Sequence, residues 1–324
     1  GQDWLQVPWF FVETYFYRRI LEATGYFMAG PRQGVDPFIY QKREGLVVAR
    51  TAIRVLAQQI QPYLVGEFQE KEGVARLLAV GLWGNQADLS LWPVGGEEQP
   101  DHADLAQQQA HTLVDDSPAV ADYLLTRPTP IKRIDIILDN AGFELVSDLF
   151  LAYYLLERRI TESITLHAKA HPTFVSDALI KDVRQTITAL GDDDHPLVAA
   201  VGQTLEKMLV DDRLQLRENY FWTSSLEMWE MPGPLRDEIA KAALLISKGD
   251  ANFRRLLGDR HWPFTTKFAD VVCYAPAALA ALRTQKSEIA VGLMPGQAER
   301  IAAIDPEWLI NGRWGVIQFW DGVA

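Results

Sequence analysis

The chain reads as an α/β protein: a mostly parallel, helix-covered sheet joined to a helical N-terminal region. Three observations predict this. From Thr129 onward, short apolar strands alternate with helical stretches, the pattern of strand–helix–strand units that build parallel sheets. Residues 1–125 instead carry mainly the 3.6-residue apolar period of helices. Finally, 48% of the 324 residues are hydrophobic and 23% charged, with mean hydropathy −0.07. That is enough apolar material for a large core and too little charge for wholesale disorder. The division expected is residues 1–125, mainly helical and contributing to the site, and residues 126–324, an α/β catalytic unit.

The elements follow in order. Trp4, Val7, Phe11, Tyr15 and Arg18 recur at helical spacing, predicting a helix over 4–28 with Pro8 in its first turn. A second helical pattern covers 44–64 and is closed by Pro62. Leu77–Trp83 leads into a polar turn, Gly84 to Ser90, and an exposed loop and a helix are expected across 95–118. Asp115-Asp116-Ser117-Pro118 caps a helix near 118–126. Then come strand 133–138, helix 142–158, strand 163–168, a helix near 176–190, a short strand at 213–217, helix 234–241, strand 243–247, a helix near 252–257, strand 287–292 and a last strand over 314–319.

Lys and Arg number 31 against 43 Asp and Glu, a net charge of −12 with pI near 5.0. Such a surface disfavours nucleic acid and anionic membrane as partners. No apolar stretch approaches the ~20 residues that span a bilayer, and no basic-then-apolar leader is visible. The single cysteine, Cys273, cannot form an internal disulfide and fits a reducing compartment. A cytoplasmic location is expected. Cys273 lies in the apolar run Val271-Val272-Cys273-Tyr274 and reads as a core residue.

Two strand ends carry the chemistry. The run Ile134 to Leu138 stops abruptly at Asp139-Asn140, then Gly142 and a helix. Leu244-Leu245-Ile246-Ser247 ends at Lys248-Gly249-Asp250. Open α/β sheets bind ligands at the carboxyl ends of their strands, and carboxylate and amide oxygens suit hard cations. If the strands are neighbours, Asp139, Asn140 and Asp250 converge on one cation. An Asp or Asn at this position also caps the following helix, so the pairing of the two ends is what favours a metal. The helix opening near Asn252 aims its amides at the same space, where they favour an anion such as phosphate. Lys169, after another strand, is placed to bind phosphate, while His171 reads as structural. Arg283 and Lys286 are read as cations preceding a strand. There is no Gly-x-Gly-x-x-Gly turn after a strand, no phosphate-binding Gly-x-x-x-x-Gly-Lys-Ser/Thr loop and no Gly-x-Ser-x-Gly elbow.

Five ordered motifs together resemble the metal-dependent damage-control phosphatases, in particular the sugar-phosphate subfamily of acidic-residue methyltransferase-like proteins. They are Leu82-Trp83-Gly84-Asn85 with Asp88-Leu89-Ser90; Leu138-Asp139-Asn140-Ala141-Gly142-Phe143-Glu144; Phe174-Val175-Ser176-Asp177; Lys248-Gly249-Asp250 with Asn252-Phe253-Arg254; and Arg283-Thr284 with Lys286. Pro8-Trp9 through Glu13 and Tyr17-Arg18-Arg19 are similar too. The resemblance implies an α/β/α sandwich, a divalent cation (Mn, Co, Ni or Mg) on Asp139, Asn140 and Asp250, and phosphate on Lys286. It places Asn85, Asp88 and Glu144 near the sugar. Ser287-Glu288 stands where the family usually has Ala-Asp.

The function expected is therefore hydrolysis of small phosphate monoesters of sugars or related metabolites, such as fructose 1-phosphate, in metabolite damage control. The phosphate-binding set is Lys286, Asn252, Lys169 and Arg283. The alternatives are an S-adenosylmethionine-dependent carboxyl methyltransferase and a non-catalytic metabolite-binding protein.

Overall fold

A computed structural model describes residues 4, 6–84, 110–128 and 130–323. Its centre is a seven-stranded sheet: β1 (Thr112–Asp115), β2 (Ile131–Ile137), β3 (Thr161–Lys169), β4 (Leu214–Asn219), β5 (Leu244–Lys248), β6 (Leu279–Thr284) and β7 (Gly315–Trp320). The spatial order is β1-β7-β6-β5-β2-β3-β4. Every pairing is parallel except β6 with β7.

Alternation along β2 explains the two helical layers. Ile134, Ile136 and Leu138 face one side, against α3 (Arg50–Leu64), α4 (Glu70–Trp83), α6 (Phe143–Glu157), α7 (Ile180–Gly191) and α8 (Pro196–Val210). Ile137 faces the other, against α9 (Gly233–Ile239), α10 (Asp250–Leu257) and α11 (Phe268–Val272). A sheet buried on both faces requires near-continuous apolar strands, and β5 and β6 are buried at every position. The result is the α/β/α sandwich that was expected. The helical N-terminal region comprises α1 (Trp9–Ala23), α2 (Ile39–Val48), α3 and α4, and α5 (Ser117–Leu125) follows β1. β1 lies on the N-terminal side of residue 125 and is nonetheless a strand of the same sheet.

Several elements differ from the sequence reading. The pattern over 44–64 is two helices broken at Ala49, and Pro62 sits inside the last turn of α3. α8 lies where no element was expected. The strand expected at 287–292 is replaced by β6 at 279–284, so Arg283 ends a strand instead of preceding one. Side chains and one backbone bond, not a ladder, hold the following segment: Arg283 donates to the carbonyls of Ser287 and Ile289, Gln318 donates to that of Val291, and the Gly292 N–H donates to the Thr266 carbonyl at 2.7 Å. Cys273 is exposed, a correction to its core assignment. The apolar run containing it is the one-turn amphipathic α11, whose buried residues are Phe268, Val271 and Val272, and Cys273 lies at its C-cap.

Candidate active site

β2 and β5 are paired in parallel from Ile134 with Leu244 to Ile137 with Ser247. Their carboxyl ends therefore lie side by side. The loop after β3 joins them. Asn140 forms an antiparallel bridge with Asp177, the Ala141 N–H donates to the Ser176 carbonyl at 2.7 Å, and the Ala178 N–H donates to the Asp139 carbonyl at 2.8 Å. Gly249 permits the close approach of β5. Its φ is 84°, and a Cβ there would sit 1.9 Å from Asp139 Oδ2, so no larger residue fits without moving that carboxylate.

At the end of β2, Asp139 is buried and Asn140 half-buried. Asn140 Nδ2 donates to Asp139 Oδ2 at 2.7 Å and to Glu144 Oε2 at 2.9 Å. This fixes the amide so that its oxygen faces Ser176, whose Oγ donates to it at 2.5 Å. Burial drives the Asp139 carboxyl well above the ordinary range, and the charges of Glu144 and Asp177 add to the effect; Lys169 and Lys286 oppose it. Asp177 is raised too, by burial, against the opposing pull of Lys169, whose ammonium lies 2.9 Å from Asp177 Oδ2. Lys169 also donates to the Leu138 carbonyl at 3.2 Å. Behind this group, buried Lys248 of β5 reaches α6, 2.6 Å from Asp148 Oδ1 and 3.5 Å from Glu144 Oε1. Two strand ends are thereby tied through the residue that orients Asn140.

Asp250 is arranged differently. Oδ1 accepts from Arg283 Nε at 2.7 Å and from Ser287 Oγ at 3.0 Å, and Oδ2 accepts from Arg254 Nε at 3.3 Å. Burial would raise its pKa, but Arg283 and Arg254 more than offset this and leave it below the ordinary range. Arg283 is itself fully engaged, by Asp250, Ile289 and Ser287. Asn252 Nδ2 donates to the Leu138 and Lys248 carbonyls at 3.1 and 2.8 Å, and its buried Oδ1 has no hydrogen-bond partner among the described residues. Lys286 is exposed at the edge of the site.

α1 covers these ends. Trp9 lies under the Arg254 guanidinium at 4.0 Å, and Phe10 and Tyr17 pack on Phe174 at ring distances of 6.2 and 5.6 Å. Glu13 of α1 has its carboxyl pushed up to about 7 by burial, with Arg254 opposing and Asp177 and Asp250 adding to the rise. His171 packs against Phe27 and Tyr220.

The structure thus gathers Asp139, Asn140, Glu144, Lys169, Asp250, Asn252 and Arg283 at adjoining strand ends. Asn85 and Asp88 lie outside the described residues. Sequence reasoning assigned no role to Asp177, Lys248 or Asp148. The available signal was the Ser176-Asp177 motif, which falls well past the end of β3 and so lacks the strand-end context of Asp139. Among the described residues, no group of three or more His, Cys, Asp or Glu side chains is arranged to hold a metal. The side-chain oxygens gathered here come from the carboxylates of Asp139, Glu144, Asp177 and Asp250 and the amides of Asn140 and Asn252.

A mostly parallel sandwich with carboxylate and amide oxygens at adjacent strand ends belongs to the class of α/β enzymes that bind ligands at the carboxyl edge of the sheet. The family is set by comparison with known proteins: residues 2–301 match the damage-control phosphatase ARMT1-like domain, and the chain belongs to that family. It is therefore a phosphatase, a hydrolase of phosphate esters. The chain is 35% identical to a damage-control phosphatase ARMT1 of Danio rerio, over 98% of this chain and 74% of that one. It is 36% identical to the Rattus norvegicus protein and 33% to the Homo sapiens protein, over 98% of this chain and 75% of each. The fold is similar to the crystal structure of a DUF89 family protein from Pyrococcus horikoshii, with TM-score 0.51 and 16% identity over 96% of this chain and 81% of that one.

Proposed function

We propose that the chain is a metal-dependent phosphatase for phosphate monoesters of sugars or related metabolites, hexose phosphates such as fructose 1-phosphate among them. We propose further that Asp139, Asn140 and Asp177 hold the cation, with Asp177 taking the place first considered for Asp250. One observation carries this reading: the Asn140–Asp177 bridge brings two buried carboxylates, Asp139 and Asp177, to one strand end beside an oriented amide, and burial leaves both raised. Buried hard oxygens gathered at one strand end suit a divalent cation. Asp250 has both oxygens met by arginines and a serine, so it suits the role of a fixed structural anion.

When bound, the cation neutralises charge on the phosphate oxygens and acts as a Lewis acid. The chain's own residues do the rest. Glu144 holds the Asn140 amide so that its oxygen points into the site. Lys286, exposed and near enough for its charge to act on Asp139, binds the phosphate, and the first amides of α10 assist. Lys169, paired with Asp177, contributes a fixed positive charge against the charge that develops in transfer. Asn252 and Arg283 hold the strand ends in place.

The test is phosphate release from a panel of sugar phosphates with added manganese, cobalt, nickel or magnesium. Release that depends on added metal and is abolished in Asp139→Ala is expected. Equal activity in wild type and variant would sink the site assignment.

A further inference from the structure

We propose that Lys42 of α2 is a positioning residue for the cation site, setting the backbone at Asp177 and with it the carboxylate that Asp177 offers. The inference rests on the reading of Asp177 as a ligand. The Lys42 side chain is 3% exposed, and its ammonium makes three contacts. Nζ donates to the Asp177 carbonyl at 2.7 Å and to Asp182 Oδ2 at 2.8 Å, and lies 3.1 Å from Asp36 Oδ2. A lysine ammonium has three protons to place, and all three directions are used.

The segment it grips needs holding. Phe174 and Val175 have φ of 47° and 64°. This left-handed region is costly for a β-branched residue and persists only where the surroundings enforce it. From the sheet side, Ser176 and Ala178 are bonded to Ala141 and Asp139. From the helix side, Asp182 accepts the Leu179 N–H at 3.0 Å. Between these anchors the Asp177 carbonyl is held by Lys42, which comes from the N-terminal helical region. Burying an ammonium with two carboxylates is an expensive way to gain stability alone.

The cluster around Lys42 is balanced in charge. Lys181 lies 2.9 Å from Asp36 Oδ2, so two cations meet two carboxylates and the cluster adds no net charge to the site. Lys42 by itself also acts on the Asp177 charge, which is why the variant that removes Asp36 and Asp182 with it is needed beside the single one.

The experiment is calorimetric titration of the metal-stripped full chain with Mn2+. Lys42→Met is compared with the triple variant Asp36→Asn/Lys42→Met/Asp182→Asn, which leaves no buried charge unpaired and guards against loss of the fold. Outer-shell partners of ligands typically contribute about 10- to 100-fold in metal affinity, and a rise of that size in Kd is expected for both. Ile187→Ala, a core truncation in α7 at 0% exposure, is expected to lower Tm and leave Kd within about threefold; a merely structural Lys42 would behave the same way. A triple-variant Kd within about threefold of wild type overturns the proposal. Asp177→Asn separates the two ways of failing. If it abolishes Mn2+ binding while the triple variant does not, Lys42 is at fault. If it too binds like wild type, the ligand assignment fails and the positioning role falls with it.

Discussion

At the end of β2 the chain runs Leu138-Asp139-Asn140-Ala141-Gly142 into α6; at the end of β5 it runs Lys248-Gly249-Asp250 into α10. Each is a buried strand, an aspartate, a positive-φ glycine and a helix. Yet Asp139 is pushed up by burial and by carboxylate neighbours, while Asp250 is pulled down by two arginines. The partners that separate them are not in the motifs alone. Arg283 comes from the end of β6, and Asp177 from a loop that crosses from β3. Two similar strand ends can therefore serve opposite purposes, one whose aspartate stays raised despite Lys169 and Lys286 and suits the proposed cation, the other already neutralised by arginines.

The largest expected effect breaks that comparison outright. Asp139→Ala and Asp177→Asn should weaken Mn2+ binding by at least about 100-fold and reduce phosphatase activity on the order of 10³-fold. Asp250→Asn should leave Mn2+ affinity almost unchanged and instead destabilise the fold by about 3–5 kcal/mol, as Arg283 is left buried without its carboxylate. Calorimetry and denaturant melts read the two effects separately, and a large loss of Mn2+ affinity in Asp250→Asn would reverse the ligand assignment.

Next is the point where the two ends touch. Gly249→Ala forces a Cβ onto Asp139 Oδ2 at a φ that costs an L-residue about 1–2 kcal/mol by itself. A total of about 2–4 kcal/mol and a marked loss of Mn2+ affinity are expected. Unchanged melting would show that β5 can withdraw from β2.

Glu13 feels Asp177 at one strand end and Asp250 at the other. Its folded pKa, raised from 4.5 to about 7, lies above the unfolded value, so its favourable contribution is full below about 4.5 and is lost as pH rises through about 7. With the side chain only half-buried, solvent screening leaves this contribution at about 1–2 kcal/mol. Melts of chelator-treated protein should show wild type losing about that much between pH 4.5 and 8 relative to Glu13→Gln. Parallel pH profiles would remove Glu13 from the site.

The smallest effect belongs to Ser287. Its hydroxyl bridges Arg283 and Asp250, an addition where the family usually has Ala. Because both arginines remain, Ser287→Ala should cost about 1 kcal/mol and shift KM for a phosphate ester by no more than about threefold. A larger change would mean that the β5 end is less firmly neutralised than its geometry implies.

Much of this was legible in the sequence because the features are local. β2, β5 and the helices that follow them announce themselves by apolar runs stopped at Asp or Gly, and the parallel pairing follows from alternation. What escaped depends on long-range contacts. β6 is an alanine-rich run whose strand character comes from its neighbours, so Arg283 was read on the wrong side of a strand. Asp177 follows a stretch with no regular period and reaches the site through the Asn140 bridge, two backbone bonds and its contacts with Lys42 and Lys169. Lys42 sits on a helix whose sequence shows no clear apolar face, and nothing local distinguishes a buried lysine from a solvated one.

The position of β7 carries a consequence for the order in which the molecule can be made. β1 is an edge strand, and its one neighbour in the sheet is β7, about 200 residues further along the chain. At about 5–20 residues per second on a ribosome, β1 waits roughly 10–40 s for that partner. Meanwhile β2, β3, β4, β5 and β6 can pair among themselves. Gly315–Trp320 arrives last, slots between two strands already made, and closes the sheet like the final stave of a barrel.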